Sequence, residues 1–363
     1  MKLTAPVKLV LSDTQKAALL RTLETANDAA NYVSEKAWNT GTFGQYALHT
    51  MCYHDVKQRF RLTAQVVVRV IAKVSDAYKL DRNTQRVFLR RGSIAYDSRI
   101  LSWRRKRQAV SVWTVDGRIE VPFLAGSRQL ELLKTKQGEA DLAYRDGEFY
   151  LLQTCEVEEM PPDTPSGFLG VDFGVVNIAA DSDGGVHSGE RLNGLRKRYH
   201  KLRSKLQSKK TKATKRLLRK RRRKEQRFAS HVNHCISKSL VAKAKDTGRG
   251  IALENLKGIR GRITVRKGQR RQHYSWAFSQ LRLFIEYKAK RAGVMVALVD
   301  PRNTSRTCPR CGCVDKHNRP SQSVFLCVFC GFSAFADTNA AGIIASRATC
   351  KLAELLASPI GAG

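Results

Sequence analysis

Phe168-Leu169-Gly170-Val171-Asp172 is a short apolar run that ends on a carboxylate. Apolar residues in succession, without polar alternation, fit a strand covered on both faces. Asn177-Ile178-Ala179-Ala180-Asp181 follows closely enough to be the returning strand. Farther on, Gly250-Ile251-Ala252-Leu253-Glu254 repeats the pattern and again closes on an acid. A helix over 275–292, a strand over 294–299 and a last helix starting near Asp337 complete an alternation of strands and helices. That alternation predicts an α/β domain over 167–306 and 332–363.

Asp172 and Glu254 end apolar strands, and Asp337 precedes Thr338-Asn339-Ala340-Ala341-Gly342-Ile343 at a helix start. Singly, each has an ordinary reading: a strand-end Asp turns the chain, and an Asp before a helix caps it. As a set, strand ends and a packed helix can bring the three acids to one spot. Like charges there repel unless protons or cations neutralise them. Two Mg²⁺ or Mn²⁺ ions on such an all-oxygen site activate water and stabilise the leaving oxygen of a phosphodiester. Asp172, Glu254 and Asp337 are therefore the expected catalytic and metal-binding acids. Asp181, beside Asp183-Gly184, reads as a turn residue.

Nine cysteines are present, five of them within residues 308–330. Cys308-Pro309-Arg310-Cys311 and Cys327-Val328-Phe329-Cys330 form two C-x2-C pairs with 15 residues between them, each followed by glycine (Gly312, Gly331). This is the spacing of a structural zinc ribbon over 307–331, closed by four thiolates with no position left for catalysis. Cys313 reads as a free thiol. The distribution suits metal binding in a reducing cytoplasm better than a disulfide framework.

Charge points to the partner. The 363 residues carry 66 Lys and Arg against 31 Asp and Glu, a formal +35. Such an excess calls for a polyanion. No run of about 18 apolar residues offers a membrane span, and the start, Met1-Lys2-Leu3-Thr4-Ala5-Pro6, lacks the apolar core of a signal peptide. Residues 191–227 hold 19 Lys and Arg and one acid, Glu225. Leu192, Leu195, Tyr199, Leu202 and Leu206 recur at helical spacing, and a break at 208–214 predicts a basic helical hairpin. Its expected nucleic-acid contacts are Arg196, Lys197, Arg198, Lys205, Lys209 and Lys210, then Arg219, Lys220, Arg221, Arg222 and Arg223. Trp276 and Phe278, near His273-Tyr274, either stack on a base or begin the helix that packs on the sheet.

The N-terminal half has another texture. Residues 7–12 alternate like a strand, and helices are expected over 13–38, capped by Ser12 or Asp13, and over 63–79. Five β-rich runs follow, at 109–115, 118–122, 130–134, 140–145 and 148–157, punctuated by Asp116-Gly117 and Asp146-Gly147. This predicts a small β-barrel or sheet (1–12 and 95–160) with a helical insert (13–94). The proline-rich 161–166 forms the linker. Arg69, Lys73 and Lys79 on the insert are expected nucleic-acid contacts.

Four words resemble the TnpB family, transposon-encoded nucleases related to type V CRISPR effectors. They are Gly170-Val171-Asp172-Phe173-Gly174, Leu253-Glu254-Asn255-Leu256, Thr304-Ser305-Arg306-Thr307-Cys308-Pro309-Arg310-Cys311-Gly312 and Asp337-Thr338-Asn339-Ala340-Ala341. Together they cover about 167–348; residues 1–160 match only in layout. The resemblance implies an RNase H-like (RuvC) nuclease domain with an inserted zinc ribbon, and an N-terminal wedge β-barrel interrupted by a recognition lobe. It implies a guide RNA and cleavage of double-stranded target DNA beside a short flanking motif. With no second nuclease insert, one site would cut both strands. Expected cofactors are Mg²⁺ or Mn²⁺, structural Zn²⁺ and the guide RNA, without a small-molecule cofactor or a membrane. The expected place is the prokaryotic cytoplasm, at the nucleoid. A nuclease or resolvase acting without RNA and a guide-directed repressor are the rival readings. The residue before the third acid departs from the family: Ala336 stands where many relatives carry a basic or polar residue.

Overall fold

The computed structural model describes residues 1–256 and 278–357. His273, Tyr274 and Trp276, with the first residues of the helix expected at 275–292, lie outside the described residues. The chain divides into two units, Met1–Glu158 and Glu159–Gly363.

The first unit opens with β1 (Lys2–Leu9) and then α1 (Asp13–Thr40), α2 (Gln45–Phe60) and α3 (Ala64–Leu80). It continues through β2 (Ile94–Tyr96), β3 (Leu101–Arg104), β4 (Ala109–Thr114), β5 (Gly117–Leu124), the short α4 (Ser127–Leu132), β6 (Lys136–Arg145) and β7 (Glu148–Glu156). The strands form one seven-stranded sheet in the order β2-β6-β7-β1-β5-β4-β3. Strand β1 begins earlier than expected and runs through Pro6. Its neighbour β5 engages it at Lys8 and Leu9, so at Pro6 the β5 side of β1 is an open edge, where a missing N–H is tolerated. Ser12 caps α1 in a reciprocal capping box with Gln15, and Gly41 ends it at φ 63°. The run at 130–134 is helical, not extended: Leu130 donates its N–H to the Gly126 carbonyl at 3.0 Å, and Leu133 is the side chain buried there.

The second unit has β8 (Phe168–Asp172), β9 (Asn177–Asp181), β10 (Val186–Ser188), α5 (Glu190–Ser208), α6 (Lys212–Arg221), α7 (Lys224–Asp246) and β11 (Gly250–Glu254). Then come α8 (Phe278–Ala292), β12 (Val296–Val299), the pair β13 (Val324–Leu326) and β14 (Ser333–Phe335), and α9 (Ala336–Ala357). Five strands form a mixed sheet in the order β10-β9-β8-β11-β12. β9 is antiparallel to β8, whereas β11 runs parallel to both β8 and β12. Both faces are covered, which explains the unbroken apolar runs. Leu169, Val171, Ile251 and Leu253 pack with Leu240 of α7 and Leu281 and Ile285 of α8. On the other face Phe168, Ala252 and Val299 pack with Ile344 and Ala348 of α9. The basic segment is three helices, not a hairpin: a second break falls at Arg222–Arg223, and α7 runs on to Asp246 as core.

Candidate active site and metal centre

Strand alternation decides which way the acids face. Phe168, Gly170 and Asp172 share one side of β8, and Ala252 and Glu254 share that side of β11, because side chains repeat every two residues. Phe168 and Ala252 pack on α9, so both carboxylates lie on the α9 face. The parallel register sets Leu253 against Val171, which brings Glu254 level with Asp172. Asp337 enters from the first turn of α9.

Gly170 is what lets α9 come this close. A Cβ built on it would stand 1.9 Å from the Ala341 carbonyl oxygen and 2.7 Å from the Ala345 nitrogen, distances no side chain can occupy. The glycine two residues before the first acid thus sets the helix carrying the third acid against the strand.

Electrostatics tie the three together. Burial pushes the Asp172 carboxyl up to about 7, and the negative charges of Glu254 and Asp337 push the same way, while Arg319 opposes them. Burial also raises Glu254; a hydrogen bond donated by the Thr304 hydroxyl at 2.5 Å pulls it back. Asp337 accepts from Asn177 Nδ2 at 2.9 Å and pairs with Arg319 at 3.2 Å. Thr304, Asn177 and Arg319 hold the acids in place, and sequence reasoning assigned them no role. Thr304 at least lies inside a quoted word; Asn177 and Arg319 carry no local signal.

Asp181 is 3% exposed and accepts from the Asp183 and Gly185 amides, the turn role read for it, and it also pairs with Lys243 at 2.7 Å.

The cysteines gather as a tetrad. Cys308, Cys311, Cys327 and Cys330 bring their sulfurs within 4.8 Å of one another, with Cys308–Cys330 and Cys311–Cys327 each at 3.6 Å. Four thiolates about 2.3 Å from one tetrahedral ion lie roughly 3.8 Å apart, so the tetrad fits a metal ion and is far too open for disulfides. Among the described residues no other group of three such side chains is drawn together this tightly, and the three carboxylates are spread wider. Each knuckle is built alike. Gly312 at φ 73° donates to Cys308, and Gly331 at φ 69° donates to Cys327, both at 3.0 Å. The Cys330 and Phe329 amides draw the Cys327 thiol down to about 6. Cys313 stays outside the tetrad, its carbonyl accepting from the Cys308 amide.

The expected nucleic-acid contacts divide in two. Arg69 is held by Asp97 and Glu139, Lys73 donates to Asn27 and to the Ser93 carbonyl, and Lys79 pairs with Asp76 at 2.7 Å. Arg69 and Lys73 brace their own unit, whereas Lys79 is exposed on α3 in a surface pair within the same helix. In the basic segment, Lys197, Arg198, Lys205, Lys209, Lys210, Arg219, Lys220, Arg221, Arg222 and Arg223 are exposed. Arg196 is buried beside Glu225 at 3.5 Å.

Residues 152–258 match the family model OrfB_IS605, described as a probable transposase, and residues 278–344 match the Cas12f1-like TNB domain. The chain is 40% identical over 119 residues to a CRISPR-associated endodeoxyribonuclease Cas12f1 of Sulfoacidibacillus thermotolerans, covering 32% of this chain and 27% of that protein. It is 38% identical over 157 residues to a TnpB-like protein of Methanocaldococcus jannaschii, covering 40% of this chain and 56% of that one. The chain thus spans between about a quarter and somewhat over half of these relatives. The fold is similar to that in a Cas12f1-sgRNA-target DNA complex, with TM-score 0.63 at 15% identity over 93% of this chain and 83% of that one. No helix among the described residues is long and apolar enough to cross a membrane.

Proposed function

We propose, for a chain that is a relative of the TnpB-like proteins and Cas12f nucleases, that it is an RNA-guided DNA endonuclease with one RuvC-like site. The observation that carries this reading is the coupling of Asp172 to Glu254 and Asp337 on the α9 face of the sheet. The strand order, with β8 central, β9 antiparallel to it and β11 parallel, supports an RNase H-like reading of this sheet. In the first unit, the sheet acts as the wedge and α1–α3 as the recognition lobe. The names of the similar proteins support guide RNA and target DNA as partners.

The acids fit Mg²⁺ or Mn²⁺: they are oxygen donors, and burial, with the charges of Glu254 and Asp337 adding to it, holds Asp172 near 7, a cost that a cation on the cluster offsets. When bound, two such ions supply a nucleophilic water at neutral pH and neutralise charge on the leaving oxygen. The protein's own part is alignment. Thr304 fixes one oxygen of Glu254, while Asn177 and Arg319 each hold one oxygen of Asp337. The tetrad takes Zn²⁺ as a structural ion. Exposed cations of α5 and α6 track phosphates, which would offset much of the +35.

The test is to purify the protein from cells carrying its locus, sequence any RNA bound to it, and add matched plasmid and Mg²⁺. A discrete RNA, cutting that follows its sequence, and an Asp172→Ala variant that binds without cutting are expected. RNA-free protein that cuts regardless of sequence would replace this reading with the RNA-independent nuclease. An RNA complex that binds matched DNA and never cuts it would favour the repressor.

A further inference from the structure

The bend between α5, α6 and α7 encloses a recess of about 300 Å³. Its lining mixes two chemistries. Tyr199, Leu202 and Leu218 supply aromatic and apolar surface, all half-buried. Arg203, Arg221, Arg222 and Arg223 stand at the exposed rim. Arg196 lies deeper, 8% exposed, with Glu225 as the acid among the lining residues. Five guanidinium groups against one carboxylate leave a strongly positive cup.

A plain phosphate-tracking surface needs no such recess. Duplex backbones are convex and are met by exposed Lys and Arg along a helix face, as the rest of this segment offers. A concave site of this volume, lined by aromatic and apolar residues together with cations, matches a small ligand with a flat apolar body and an anionic end. Guanidinium forks bind phosphate oxygens in pairs, and a phenol ring stacks on any nucleobase.

We propose that the recess holds a single nucleotide, its base against Tyr199 and its phosphate on the arginines. The nucleotide is either a strand end or a residue turned out of its stack. This deepens the nucleic-acid role proposed for the basic segment and rests on that reading.

The test is a titration of the full-length, RNA-stripped protein with nucleoside 5′-monophosphates, inorganic phosphate and uridine. Monophosphates should bind about tenfold tighter than inorganic phosphate, the margin expected of one aromatic stack. Tyr199→Ala should abolish that margin while phosphate still binds, and Tyr199→Phe should keep it. Arg222→Gln with Arg223→Gln should weaken both ligands. Equal binding of monophosphate and phosphate, or a margin indifferent to Tyr199→Ala, overturns the proposal and leaves a general phosphate face. In the guide-loaded complex with target DNA, a photo-crosslinker at position 199 should label one strand at one nucleotide, RNA or DNA identifying the source. Diffuse or absent labelling counts against the site. The titration needs no cleavage. Lost nucleotide binding with cutting intact therefore sinks this inference alone, and intact binding without cutting sinks only the nuclease reading.

Discussion

Arg319, in the segment joining the two cysteine pairs, places its guanidinium 3.2 Å from the Asp337 carboxylate at the start of α9. It also opposes the upward push on Asp172, so a single cation tempers both acids. Arg319→Gln removes that positive charge, and Asp172 should then hold its proton to still higher pH. The acidic limb of the Mg²⁺-dependent cleavage profile is expected to move upward, with a larger loss of rate at pH 6 than at pH 8. A profile that keeps its shape at a uniformly lower rate would mean that Arg319 only props the ribbon.

Asp172 also makes stability depend on pH. Its folded-state value of about 7 lies above that of an unfolded aspartate, about 3.9. Between those values the folded chain keeps a proton that the unfolded chain has lost, so stability falls as pH rises from about 4 to about 7. The full effect is on the order of 4 kcal/mol at most. In denaturant titrations without divalent ions, Asp172→Asn should flatten this slope and raise stability at pH 7. Mg²⁺ should flatten the slope of the unsubstituted protein by the same route. Equal slopes for the two proteins would refute the raised Asp172 value.

Sequence carried the site further than its surroundings. Asp172 and Glu254 were readable because a doubly covered strand must be apolar, so an acid at its end stands out. The tetrad was readable because ligand spacing is local. Helix α2 escaped notice: its buried Leu48, Cys52 and Val56 recur every four residues among mostly polar neighbours, too narrow a stripe to declare a helix. The break at Arg223, at φ 64°, was hidden in an unbroken run of cations, where no glycine or proline marks a turn. Asn177 and Arg319 meet Asp337 across 160 and 18 residues, contacts that only the closed fold creates.

Glycines give a paired test of packing. Gly170→Ala forces a methyl group onto the Ala341 carbonyl and must push α9 off β8. A loss of about 3 kcal/mol or more and loss of cleavage are expected, because Asp337 moves with the helix. At Gly342, one residue after Ala341, a methyl group would meet nothing within 4 Å, so Gly342→Ala should stabilise α9 by roughly 0.5–1 kcal/mol. Chemical denaturation of both variants checks this; similar effects of the two substitutions would mean that the close approach at Gly170 does not govern the packing.

The ribbon's metal should matter to chemistry it never touches. Phe325, Cys308 and Cys327 form a small core with Ala336, whose amide donates to the Ser323 carbonyl at 3.0 Å, and Asp337 is the next residue. Four thiolates held without an ion repel one another, so loss of the metal loosens this core and with it the first turn of α9. One zinc per chain is expected by elemental analysis. Cys327→Ser should abolish it, because it removes one of the four sulfurs that close the site. Cleavage at saturating Mg²⁺ should then fall at least tenfold, while the strands and helices of the first unit keep their circular dichroism. Metal-free ribbon with undiminished cutting would show that Asp337 is held by Asn177 and α9 packing alone.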